Sequence, residues 1–103
     1  MPQANGKLLI ALDYDGTYTA DPEFWLDFIK MSEARGHEIV VATMRTPEEK
    51  ETMDDKLLDA IPWVVTTSRK AKKQFLLDYG IAPDIWIDDH PLFLLQDATP
   101  IKE

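Results

Sequence analysis

Four short apolar runs, each separated from the next by a segment of helix length, set the strongest limit on how this chain can fold. The runs are residues 7–12, 38–43, 62–67 and 85–87. They are nearly continuous in apolar and β-branched residues, as expected for strands that a parallel sheet buries on both faces. Strands that alternate with helices form right-handed crossovers. The pattern predicts a doubly wound α/β domain of about four parallel strands with helices on both faces.

The segments between the runs carry helix signals. Asp21 followed by proline is typical of a capped helix start, and we expect the first helix to run to residue 36. A Thr-Pro-Glu-Glu start predicts a second helix over 46–60. Ser68 is the expected cap of a third helix over 69–79.

Composition limits the size of the protein and its partners. The 103 residues fit a single domain over 1–103, with a core at about 7–95 and flexible ends. With 11 Lys and Arg against 19 Asp and Glu, a net charge of −8 argues against general nucleic-acid binding. The chain has no cysteine and therefore no thiolate metal site. Neither a signal segment nor a membrane span is evident, so we expect a cytoplasmic protein without membrane association.

Polar side chains follow three of the four predicted strands. Asp13 and Asp15 follow the first, Thr43 ends the second, and Asp88 and Asp89 follow the fourth. Ligands of open α/β sheets bind outside the carboxyl ends of the strands, so we expect these groups to meet there. Clustered carboxylates suit a hard cation, and Mg²⁺ is the usual one beside phosphate. The sequence therefore predicts a Mg²⁺ site at this edge.

The basic start of the third helix supplies a cation for the same edge. Lys72 precedes Phe75 by three residues and Leu76 by four, which places it on the apolar face of the helix. We prefer Lys72 as the lysine that reaches the strand ends. Lys70 and Lys73 stay open as alternatives, because a shift of one residue in helical phase would change the choice.

Together these groups form a set that can transfer a phosphoryl group. One aspartate can attack phosphorus and form an aspartyl-phosphate. A second aspartate two residues away can protonate the leaving group and later activate water. Thr43 and Lys72 can hold the phosphoryl oxygens while Mg²⁺ offsets negative charge.

In chain order, these motifs resemble those of the haloacid dehalogenase (HAD) superfamily. The matching residues are Asp13-Tyr14-Asp15-Gly16-Thr17, then Thr43, Lys72 and Asp88-Asp89, which lie within residues 7–91. The resemblance implies that Asp13 is the nucleophile and a metal ligand. It implies that Asp15 is the general acid/base and binds the metal through its backbone carbonyl. Asp88 or Asp89 would supply the remaining metal carboxylate, and the choice between them stays open.

The chain departs from many HAD members in having no room for a cap domain. The intervals from Asp15 to Thr43 and from Thr43 to Lys72 fit only the predicted helices and strands. The resemblance therefore implies a small capless phosphatase with an open site. Such a site acts on macromolecular or bulky phosphorylated substrates, or is covered by another copy of the chain in a homo-oligomer.

Two other functions stay open at this point. One is a non-catalytic HAD-like module that binds a protein or a phosphorylated ligand, although the intact motifs argue against it. The other is a receiver domain, which also uses clustered Asp, Thr and Lys with Mg²⁺. In receivers the paired acids come first in the chain, whereas here Asp88-Asp89 end the series. The expected activity is that of a Mg²⁺-dependent phosphohydrolase or phosphotransferase.

Overall fold

The four apolar runs form one sheet of four parallel strands. A computed structural model describes residues 6–98 of the chain. The strand order is β3-β2-β1-β4, with all neighbouring pairs parallel. The expected flexibility of the ends concerns mainly residues 1–5 and 99–103, which lie outside the described residues. The strands are β1 Leu9–Leu12, β2 Glu38–Thr43, β3 Val64–Thr66 and β4 Ile85–Ile87.

Three α-helices connect the strands, α1 Pro22–Ala34, α2 Asp55–Ala60 and α3 Lys72–Asp78. The predicted start of α1 is confirmed, because the Asp21 carboxylate accepts a hydrogen bond from the Phe24 amide at 3.3 Å. No helix between residues 6 and 98 is long and apolar enough to cross a membrane. Short 3₁₀ helices cover Tyr18–Ala20, Glu48–Thr52 and Pro91–Leu94.

The prediction of one helix over 46–60 is wrong. A 3₁₀ helix over Glu48–Thr52 comes first, and the chain then becomes extended at Met53, whose side chain is buried. Asp54 starts a new helix by accepting a hydrogen bond from the Lys56 amide at 3.1 Å. A buried apolar side chain and a favourable capping residue together override the helical propensity of this segment.

The predicted start of the third helix is also wrong. Ser68 and Arg69 have left-handed φ angles of 53° and 72°, and α3 begins at Lys72. Their amides donate to the carbonyls of Arg45 and Met44 at 3.2 and 2.9 Å. Contacts with the segment after β2 therefore hold this loop out of the helix.

Apolar side chains cover both faces of the sheet. Leu12 lies in a buried cluster with Ile29 of α1 and Leu57 of α2. Val40 lies in a second cluster with Leu76 of α3. Successive strand residues point to opposite faces, so burial of both faces explains why the apolar runs show so little alternation.

The packing of α3 leads to a stability prediction. Leu76 is fully buried, whereas its neighbour Leu77 is 43% exposed. Leu76→Ala should lower the free energy of unfolding by about 2–5 kcal/mol, because it leaves a cavity against the sheet. Leu77→Ala, the control, should cost less than about 1 kcal/mol. Urea unfolding followed by circular dichroism measures both, and equal losses would contradict this packing.

Candidate functional site

The candidate site lies at the carboxyl end of the sheet, between β1 and β4. The Asp13 amide donates to the Ile87 carbonyl at 2.9 Å, so the ends of these two strands lie side by side. From β1 the chain adds β2 and β3 on one side of the sheet and then crosses to place β4 on the other side of β1. The direction of strand addition thus reverses at this position, which is where open α/β sheets bind ligands.

Three of the predicted acids converge at this position. Asp13, Asp88 and Asp89 each offer a carboxylate oxygen, and these oxygens lie within 4.8 Å of one another. Asp13 is buried, with 6% of its surface exposed. Three oxygen donors so close together form a set that suits a divalent cation such as Mg²⁺.

Lys72 is the lysine that contacts this cluster. Its Nζ donates to Asp13 Oδ1 and to Asp88 Oδ2, both at 2.6 Å. The side chain is buried and belongs to the first residue of α3, beside the strand ends. The alternatives, Lys70 and Lys73, are exposed. The buried ammonium therefore joins the end of β1 to the end of β4.

Thr17 joins the same two strand ends, a role that the sequence did not assign. Its hydroxyl donates to Asp13 Oδ2 at 2.9 Å, lies 3.1 Å from Asp89 Oδ1, and accepts a hydrogen bond from the Asp89 amide at 3.0 Å. Gly16 has a left-handed φ of 85°, and a Cβ there would lie 2.5 Å from Asp89 Oδ2. The Gly-Thr pair of the first motif is the sequence signal for this close packing.

Thr43 is buried at the end of β2, next to β1. Its hydroxyl accepts a hydrogen bond from the Arg45 amide at 3.3 Å. Among the hydrogen bonds of residues 6–98, none joins this hydroxyl to the three carboxylates. Within the described residues, Thr43 therefore lies at the predicted edge of the sheet without a hydrogen bond from its hydroxyl to the acidic cluster.

Asp15 pairs with Arg45 rather than with the other acids. Arg45 Nε and Nη2 each donate to one oxygen of Asp15 at 2.9 Å, an arrangement with two parallel hydrogen bonds. Arg45 Nη1 donates to the Glu49 carbonyl at 2.8 Å and to Thr52 Oγ1 at 2.7 Å. Its guanidinium carbon lies 5.0 Å from the centroid of the Tyr14 ring. Arg45, which the motif analysis left out, thus holds Asp15 in a defined position.

The acidic cluster carries more negative than positive charge. Burial raises the pKa of Asp13 from 3.8 to about 6, and the opposing effect of Lys72 does not outweigh it. The hydrogen bond with Asp13 lowers the pKa of Asp89. Three carboxylates cluster here, and a single buried ammonium contacts two of them. A divalent cation would relieve this imbalance, so the residues present fit such an ion.

A cavity of about 310 Å³ adjoins the cluster. Asp13, Lys72 and Arg69 contribute to its lining, together with His90 and Phe93. The rings of His90 and Phe93 stack with their centroids 4.2 Å apart and their planes inclined by 12°. The acidic cluster and Lys72 therefore border a cavity that can hold a small ligand group.

Comparison with known proteins gave no relative for this chain: no family model, curated protein or solved structure matches it. Its function must therefore be argued from the geometry of the site.

The raised pKa of Asp13 leads to a prediction about stability. The folded-state pKa of about 6 exceeds the ordinary value of 3.8. The protonated carboxyl group of Asp13 therefore stabilises the fold. This contribution is fully present below the unfolded-state pKa and is lost as pH rises through the folded-state pKa, a loss of about 3 kcal/mol in the free energy of unfolding. Asp13→Asn imitates the protonated form, so it should be more stable than wild type at about pH 7.5 but not at about pH 4.

Urea unfolding at both pH values, without divalent cations, tests this expectation. Asp59→Asn is the control, because it removes one negative charge from an exposed position of α2. A loss of stability in Asp13→Asn at the higher pH would show that the Asp13–Lys72 ion pair outweighs the cost of burial.

Proposed function

We propose that this protein is a Mg²⁺-dependent phosphohydrolase or phosphotransferase that acts through an aspartyl-phosphate on Asp13. One observation carries the proposal: a buried aspartate at the ligand-binding edge of a parallel sheet contacts a buried lysine beside two further carboxylates. We also propose that the fold is the doubly wound, HAD-like arrangement. The division of its core supports this, because α1 and α2 pack in one apolar cluster and α3 in the other.

The set of donors fits Mg²⁺, and we propose Asp13 and Asp89 as direct ligands. Asp88 accepts from Lys72 with one oxygen and from the His90 amide with the other, at 2.6 and 2.8 Å. Its oxygens are therefore less available than those of Asp89, which is more exposed. The backbone carbonyl of Asp15 as a further donor rests on the resemblance alone. Bound Mg²⁺ would offset the repulsion between the Asp13 carboxylate and the phosphate.

In the first proposed step, an oxygen of Asp13 forms a bond to phosphorus while the bond from phosphorus to the leaving oxygen breaks. Asp15 gives its proton to that leaving oxygen. In the second step, water attacks phosphorus and gives a proton to Asp15, and the bond from Asp13 to phosphorus breaks. The products are inorganic phosphate and the regenerated carboxylate. In phosphotransfer, an acceptor hydroxyl takes the place of water.

Lys72 and Thr17 keep the nucleophile in place. Each holds a different oxygen of Asp13, so together they restrict rotation of the carboxylate. The ammonium also lies where negative charge accumulates during transfer, which stabilises the transition state. We propose Thr43 as a ligand of the phosphoryl group, from its place at the end of the strand beside β1.

The Arg45–Asp15 pair suits the two roles proposed for Asp15. The two parallel hydrogen bonds from the guanidinium match the geometry of a carboxylate, the form of Asp15 that accepts a proton in the second step. A protonated carboxyl group accepts them poorly. We propose that Asp15 leaves Arg45 when it carries the proton for the first step.

The absence of a cap supports access by bulky phosphates. In the described chain, only helices, strands and short connections separate Asp15 from Thr43 and Thr43 from Lys72. We therefore retain macromolecular or bulky phosphate esters among the proposed substrates.

Release of phosphate from p-nitrophenyl phosphate tests the proposed activity. Wild type should be active with Mg²⁺ and inactive with a chelator. Asp13→Asn should retain less than about one thousandth of the activity, because it lacks the nucleophile. Asp59→Asn, matched in charge, should remain fully active. If wild type binds Mg²⁺ but is inert toward sugar phosphates, nucleotides and phosphorylated macromolecules, the proposed phosphatase activity is wrong and a non-catalytic binding module is favoured.

The role of Asp15 can be tested through the leaving group. An alkoxide needs a proton as it departs, whereas p-nitrophenolate departs without one. In single-turnover measurements, Asp15→Asn should slow the first step about 10²–10⁴-fold with an alkyl phosphate. The burst of p-nitrophenol should fall far less. Equal losses with both substrates would show that Asp15 is not the acid of the first step.

A further inference from the structure

Arg69 lies at the cavity in a backbone conformation that residues with side chains rarely adopt. It follows Ser68, and both have left-handed φ angles, 72° and 53°. Such strain persists where surrounding contacts impose it, and it is frequent at ligand-binding sites. The Arg69 amide donates to the Met44 carbonyl at 2.9 Å, and its carbonyl accepts from the Ala98 amide at 2.8 Å. The loop therefore fixes the position of this arginine.

Of the basic side chains that line the cavity, that of Arg69 is the more accessible. Within the described residues, the lysine and arginine side chains that line it are Lys72 and Arg69. The side chain of Lys72 is 4% exposed and contacts two aspartates, whereas that of Arg69 is 46% exposed. An anionic group of a ligand in this cavity can therefore pair with Arg69 more readily than with Lys72.

The partner of Arg69 shows what kind of group it can bind. Its Nη1 and Nη2 donate to the two carboxylate oxygens of Glu49 at 3.0 and 3.2 Å. This planar arrangement matches carboxylate and phosphate alike. Glu49 is partly exposed, and exposed ion pairs contribute little to stability. A carboxylate or phosphate of a ligand can compete with Glu49 for the same guanidinium.

We propose that Arg69 binds a second anionic group of the substrate. The preferred substrates are then phosphate monoesters whose leaving group carries a carboxylate or another phosphate. This inference rests on the proposed phosphoryl transfer at Asp13. Arg69 acts in it as a specificity-determining residue that does not contact the reacting phosphorus.

Two substrates that differ by one anionic group test the proposal. These are phenyl phosphate and 4-carboxyphenyl phosphate, and the quantity measured is the ratio of their kcat/KM values. Wild type should favour the carboxylated ester. Arg69→Gln should lower its relative kcat/KM about 10–100-fold, because a charge-assisted pair of hydrogen bonds is lost.

Two further variants separate recognition from an effect on the loop. Lys70→Gln removes a positive charge from the same loop, outside the cavity lining, and should leave the ratio unchanged. Glu49→Gln weakens the competing pair and should raise the preference for the carboxylated ester. If Arg69→Gln reduces kcat/KM equally for both esters, Arg69 serves the reacting phosphoryl or the loop, and the proposal is wrong.

Binding of phosphonates distinguishes failure of this inference from failure of the proposed function. Phenylphosphonate and 4-carboxyphenylphosphonate cannot be hydrolysed, and calorimetry with Mg²⁺ gives their Kd values. In one outcome, wild type turns over no ester yet binds the carboxylated phosphonate more tightly than phenylphosphonate, with the difference lost in Arg69→Gln. That result would support anion recognition by Arg69 and contradict the proposed catalytic function. Active wild type with no such preference in either measurement would overturn the inference alone.

Discussion

The candidate site depends on the ion pairs that the ammonium group of Lys72 makes. This group contacts the buried carboxylates that follow β1 and β4. Without a cation between them, these like charges would repel each other. The position of the ammonium depends in turn on the core. Lys72 is one helical turn before Leu76, which packs against the sheet, so both side chains lie on the same face of α3. The packing that buries α3 therefore also delivers the positive charge to the strand ends.

The cluster holds more carboxylates than its one ammonium group can neutralise. One aspartate would suffice to neutralise Lys72, yet two contact it and a third lies beside them, and the pKa of Asp13 rises to about 6. Because its pKa is raised by burial, the ionised form of Asp13 lowers the stability of the fold at neutral pH. Proteins retain such destabilising arrangements where function requires them. The excess has the sign and the chemistry that a divalent cation would complement.

The sequence predicted those features that follow from periodicity. Helical phase selected Lys72 correctly as the lysine near the acids, although the predicted helix began too early. The phase survived this error because it was set by Phe75 and Leu76, which lie inside α3. Continuous apolar runs likewise predicted the strands, because a strand buried on both faces is apolar at nearly every position.

Features that depend on contacts between residues far apart in the chain could not be predicted. The left-handed turn at Arg69 is held by the Met44 carbonyl, and the Asp15 carboxylate is held by Arg45. Neither pairing follows a local period. The interruption at Met53 has the same origin, because the side chain enters the core between two helical turns. The folding of local segments was therefore more predictable than the contacts between loops.

Both arginines beside the site depend on the segment that follows β2. Arg45 belongs to it and donates to the Glu49 carbonyl, while Arg69 pairs with the Glu49 side chain and the Met44 carbonyl. One loop thus positions the proposed general acid through Arg45 and the proposed second anion site through Arg69. Under the proposed function, this loop would couple the residue that moves the proton to the residue that selects the ligand.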